Sequence, residues 1–171
     1  AHFVKRLQEN APAIHGDFSG AKERLELDYT TVSTVDDPLK TPRELLPRLL
    51  EHQERHRQAE LESRQCLSGP HKDDLAVDLD GVSAKTYASQ GQTRTAALSL
   101  KLGCREIFFH DTGEWPVLLL DDVLSELDHR RQEFVLNRIA GGQVFITCCE
   151  DDRLEGLGEG STFHIHNGRL V

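Results

Sequence analysis

The chain has 171 residues, 37% hydrophobic and 29% charged, with a formal net charge of -9; this suits one well-buried core. The charge argues against nonspecific coating of nucleic acid but leaves a local basic patch open. No apolar run approaches the roughly 20 residues of a membrane span, there is no signal-peptide pattern, and Cys66, Cys104, Cys148 and Cys149 lack paired metal spacing, so a soluble, cytoplasmic protein with reduced thiols, no disulfide framework and no zinc site is expected.

Position 1 is alanine and no methionine occurs, which fits either the rear portion of a longer protein or a trimmed amino terminus. Phe3, Val4 and Leu7 stand at helical spacing, followed by a link punctuated from Pro12 to Gly20. Arg24 to Thr30 alternates polar and apolar residues and predicts a strand that buries Leu25, Leu27 and Tyr29. Thr41-Pro42-Arg43-Glu44 is a capping box with proline at the first helical position. The helix it opens carries Leu45, Leu46, Leu49 and Leu50, with Pro47 close enough to the start to disturb it. From Glu51 to about Gln65 it is mostly Arg, Glu, Gln and His, either an arm standing clear of the body or a solvated face over the core. Arg43, Arg48, Arg55, Arg57 and Arg64 could form a basic stripe there, though the interspersed glutamates fit a solvated helix equally. His52 and His56 share a helix face, but Gln53-Glu54-Arg55 does not give the His-Glu order of zinc hydrolases and no third ligand is evident.

Leu67 to Pro70 breaks the arm, and Leu75 to Leu79 reads as a strand turning at Asp80-Gly81 into a hairpin. At Ala88-Ser89-Gln90-Gly91-Gln92-Thr93-Arg94 a helix begins that continues through Ala96, Ala97 and Leu100. Ser89 reads as a cap, Gly91 permits close approach to the backbone, and amides at a helix amino terminus make an anion site.

Pro116 to Asp128 is the most informative stretch. Val117-Leu118-Leu119-Leu120 reads as a strand buried on both faces of a parallel sheet, ending in Asp121-Asp122 at the carboxyl edge, where open α/β sheets bind ligands. Such acids either receive a magnesium ion carrying phosphates, with Asp121 on the hydrated ion and Asp122 orienting a water, or merely cap the next turn. Asp128 caps a helix with Phe134, Val135, Leu136 and Ile139 inward, Gly141-Gly142 stops it, and Gln143 to Thr147 forms a second buried strand of a βαβ unit. Phe163 to Val171 reads as a closing hairpin on which His164 and His166 are exposed.

In this order the pieces resemble the rear half of an ABC-type ATPase head, and more closely the RecF family of bacterial DNA repair and recombination proteins, related to the SMC heads. The text that carries the resemblance is Gly69-Pro70-His71-Lys72-Asp73-Asp74-Leu75, Ala88 to Arg94, Pro116 to Asp128, and Gln143 to Thr147. The resemblance implies an α/β fold: residues 67–171 form the carboxyl-terminal part of a P-loop-NTPase-like head with a parallel sheet and flanking helices, and residues 1–66 a helical arm and connecting strand segment. It implies ATP and Mg2+ as cofactors. Ser89, Gly91 and Gln92 would belong to the signature motif that meets the γ-phosphate of ATP on a second subunit. Asp121 would be the magnesium carboxylate and Asp122 the water-polarising one, while Ser125 and Asp128 would face across the dimer. The implied partners are a second copy, double-stranded DNA near gaps or junctions, and a RecR-type mediator, with slow hydrolysis as a timer.

Three departures stand out. No Gly-rich loop ending in Gly-Lys-Ser/Thr occurs in the 171 residues, so the chain by itself is expected to bind ATP poorly or not at all. Lys72 stands where the family has arginine. Thr147-Cys148-Cys149 replaces the switch histidine of transporter ATPases, which favours RecF over a transporter subunit. The competing reading is a non-enzymatic module that pairs with a separate nucleotide-binding half.

Overall fold

The computed structural model describes residues 1–149 and 160–171. They form two compact units, Ala1–Asp111 and Thr112–Val171. The first unit holds residues from both sides of position 66, since the strand of residues 25–30 pairs with that of residues 74–79.

The first unit opens with α1 (His2–Ser19). Leu7, Ala11, Ile14 and Phe18 recur at helical spacing and are all buried, and this stripe carries the helix straight through Pro12. The expected link from Pro12 to Gly20 is therefore a correction: burying a continuous apolar face outweighs the one backbone donor that proline lacks. Gly20, at φ 66°, ends the helix. Next comes β1 (Leu25–Thr30), antiparallel to β2 (Asp74–Leu79) with Leu25 opposite Leu79 and Tyr29 opposite Leu75. Asp80 (φ 52°) and Gly81 (φ 79°) make the turn into β3 (Val82–Ser83), as the hairpin signal anticipated.

Between β1 and β2 runs α2 (Pro42–Ser63), which opens on the expected Thr41–Glu44 capping box and accommodates Pro47 within its early turns. A short α3 (Ala84–Tyr87) precedes the long α4 (Gln90–Thr112). Helix α4 lies close on α1: a Cβ on Gly103 would fall 2.9 Å from Leu7 Cδ1. Together with β1 and β2 these helices enclose a core of Leu7, Ala11, Leu25, Leu27, Leu79, Ala96 and Ile107. A two-pronged Arg6–Asp111 pair (2.7 and 2.6 Å) ties α1 to the far end of α4.

The second unit contains the expected strand, helix and parallel strand: β4 (Leu118–Asp121), α5 (His129–Arg138) and β5 (Val144–Thr147). Helix α5 ends at Arg138 with Ile139 as its cap, short of the expected stop, and Gly141 and Gly142, both at positive φ, press against Trp115. Strand β4 is buried on one face only, through Leu118 and Leu120, whereas Val117 is 56% and Leu119 67% exposed, as is much of Phe145 beside them on β5. That corrects the expectation of burial on both faces, for the alternating pleat turns every second side chain outward and the described sheet has two strands. A hairpin of β6 (Ile165–His166) and β7 (Arg169–Leu170) turns at Asn167-Gly168, with His166 exposed, as expected.

Candidate functional site

The acidic pair sits where the parallel strands end. Register places Thr147, the last residue of β5, opposite Asp121, the last of β4. Its hydroxyl donates to Asp121 Oδ1 at 2.5 Å and accepts from the Asp122 backbone N–H at 3.0 Å. The same N–H also lies 3.2 Å from the Thr147 carbonyl. Asp122 turns the chain at φ 51°, in the left-handed region that aspartate tolerates better than most residues. Ser125 Oγ donates to the Asp122 carbonyl at 2.7 Å and holds that turn. Asp128 caps α5, its Oδ1 accepting from the Arg131 N–H at 3.0 Å and its Oδ2 pairing with the Arg131 guanidinium at 3.2 Å. Both Asp121 and Asp122 are exposed, so the sheet edge presents two adjacent carboxylates outward. Thr147 is the residue that sequence reasoning passed over, although its place opposite Asp121 follows once the two strands are aligned by their ends.

The turn before α4 is closed by reciprocal bonds. Gln92 N–H donates to Ser89 Oγ at 3.3 Å, and Ser89 N–H donates to Gln92 Oε1 at 2.9 Å, which is a capping box. Ser89 is exposed and Gly91 half-buried in the first helical turn. The Gln92 amide nitrogen turns inward and donates to Glu23 Oε1 at 3.0 Å. The structure therefore brings Ser89, Gly91 and Gln92 together in one unit, and Asp121, Asp122, Ser125 and Asp128 together in the other.

The Gly69-to-Leu75 stretch makes a single helical turn, Pro70–Lys72, before β2. Asp73 accepts a short bond from the Tyr29 hydroxyl, and this bond, before burial, pushes the Tyr29 phenol up to about 12. Along α2 the arginines are exposed, and Arg48, Arg55 and Arg57 pair with Glu51 or Glu54; the stripe is locally neutralised. His52 and His56 stack with ring centroids 4.0 Å apart. His52 Nδ1 is 2.9 Å from Ser68 Oγ, and His56 Nδ1 donates to the His52 carbonyl. Among the described residues no group of three or more His, Cys, Asp or Glu is placed to hold a metal, and no helix is long and apolar enough to cross a membrane.

No protein-family profile matches the chain. It is 40% identical over 165 residues to the DNA replication and repair protein RecF of Acetivibrio thermocellus, covering 96% of the chain and 44% of that protein. To RecF of Bacillus subtilis it is 41% identical over 172 residues, covering 99% and 46%. A solved structure of the recombination mediator protein RecF with ATPrS superposes with a TM-score of 0.80 at 33% identity, over 99% of this chain and 44% of that one. An Smc head domain from Pyrococcus furiosus, at a TM-score of 0.51 and 12% identity, shares the fold. The chain thus spans less than half the length of the curated relatives it matches. Near-complete coverage of the chain at this identity makes it a member of the RecF family, matching its carboxyl-terminal portion.

Proposed function

We propose that this chain is the segment of a RecF-type DNA repair ATPase that lends its acidic strand end to one ATP and its α4 turn to the ATP of a second copy. The observation that carries this is Asp121 and Asp122 standing exposed at the carboxyl edge of a parallel strand pair. Magnesium takes one or two protein carboxylates and keeps several waters. Asp121 offers such an oxygen, oriented by Thr147, so the residues present fit the ion, which when bound offsets phosphate charge. Asp122 orients the attacking water and takes up its proton. Ser89 and the first-turn amides at Gly91 and Gln92 meet the γ-phosphate at a helix amino terminus, whose dipole favours negative charge. Ser125 and Asp128 line the turn that faces the second copy. In a two-fold arrangement each copy completes the other's site, so ATP favours the dimer by mass action. The complete protein then holds double-stranded DNA beside a gap or junction, engages a RecR-type mediator, and lets go when slow hydrolysis removes the bridging phosphate.

The lack of a Gly-Lys-Ser/Thr loop in the 171 residues favours a second reading, a non-enzymatic partner for a nucleotide-binding half. The two separate when ATP hydrolysis is measured for the chain alone, with a RecF-type Walker A half added as a separate polypeptide, and with Asp122→Asn in that mixture. The proposal expects no turnover alone, turnover on mixing, and loss of turnover with retained ATP-dependent dimerisation in the variant. Association of the two pieces without turnover supports the second reading and overturns the first.

A further inference from the structure

We infer that Glu23 is a positioning residue for the α4 turn: backed by His15, its carboxylate fixes the Gln92 amide, and with it the register of the turn that a second copy's ATP meets. The inference rests on the nucleotide reading above.

Residues 15, 23 and 92 come from α1, from the link before β1, and from the first turn of α4. Glu23 uses both oxygens: Oε1 accepts from Gln92 Nε2 at 3.0 Å, and Oε2 lies 3.2 Å from His15 Nε2. The His15 side chain is 0% exposed and that of Glu23 18%. On the other side of the imidazole, Nδ1 is 3.4 Å from Ser99 Oγ, whose proton goes to the Thr95 carbonyl at 2.7 Å. Ser99 lies about two turns along α4 from Gln92, so the polar chain holds the helix at two heights. A buried polar chain of this kind is costly unless its members satisfy one another, and a helix cap does not need one, because the Ser89–Gln92 box can form beside water.

The chemistry of the carboxylate explains what the chain adds. An ionised carboxylate can only accept, so it draws the NH2 side of the Gln92 amide inward and leaves Oε1 facing the Ser89 N–H. The amide thus has one orientation, and the capping box has its acceptor where Ser89 needs it. With Glu23 removed, the amide is free to rotate, the box loosens, and the first turn no longer presents Ser89 and its amides in one geometry.

The test uses the full-length protein that contains this chain, with ATPγS as the nucleotide. Dimer association is followed by sedimentation, and nucleotide binding to the monomer is measured at high dilution. Glu23→Ala is expected to weaken dimer association about tenfold, the scale of one charge-assisted hydrogen bond, while monomer affinity for ATPγS is unchanged. Glu23→Gln keeps an acceptor for Gln92 and restores most of the association. If Glu23→Ala loses monomer binding in step with dimerisation, the role is merely structural and the inference is overturned. If it dimerises like the wild type while Ser89→Ala does not, the inference falls and the nucleotide reading stands. If neither variant affects dimerisation, that reading of the turn falls and takes the inference with it.

Discussion

Replacing Thr147 by valine tests the acidic strand end directly, because one hydroxyl serves both aspartates and valine keeps the shape and strand preference of threonine. Two bonds disappear: the 2.5 Å donation to Asp121 and the 3.0 Å bond from the Asp122 N–H. In an exposed setting each is worth about 1 kcal/mol net. The second loss is partial, since the Asp122 N–H keeps the Thr147 carbonyl at 3.2 Å. If the alignment of the two acids matters chiefly in the transition state, a total of about 1.5–2 kcal/mol becomes a ten- to thirtyfold slower turnover. Single-turnover ATP hydrolysis by the full-length protein measures it, with Thr147→Ser as the control that keeps the hydroxyl. Wild-type turnover in Thr147→Val, or an equal loss in Thr147→Ser, would refute the reasoning.

Gly142→Ala should destabilise the second unit by about 2–5 kcal/mol, combining a left-handed residue with overpacking, because φ is 70° and the new Cβ would fall 2.5 Å from Trp115 Cβ; an unchanged denaturation midpoint would contradict this. Tyr29, raised from its ordinary value near 10 to about 12 by its bond to Asp73, adds stability that is fully present below about pH 10 and is lost as pH rises through about 12. The phenolate difference spectrum between wild type and Tyr29→Phe should show that late midpoint, and Asp73→Asn should bring it earlier; a midpoint near 10 in the wild type would rule out the bond.

The local signals in the sequence served well where one residue type has one job. The Thr41–Glu44 box, the Asp80-Gly81 turn and the Asp128 cap each depend on neighbours within a few positions, and each forms as expected. Pro12 misled because its local meaning was overridden by the apolar stripe from Leu7 to Phe18, which gains more from continuing the helix than it loses at one backbone bond. The run Val117 to Leu120 misled differently: an unbroken aliphatic sequence says what each face would accept but not what covers it, and Leu119 is open. The strand-end position of the aspartates was legible from that run, whereas the place of Thr147 opposite Asp121 needed the strand register and Glu23 had no local signal. Its bond to Gln92 spans 69 positions, and only the packing of α1 against α4 brings the two together.

The backbone at Asp122 bears on how the role proposed for its carboxylate can be probed. At φ 51° the position sits where asparagine is at least as comfortable as aspartate, alanine less so, and a β-branched residue is badly strained. An amide swap there strips the charge and leaves the bend intact, whereas truncation to a methyl blends two injuries into one readout. A dead alanine variant would report on the shape of the loop as much as on the missing carboxylate.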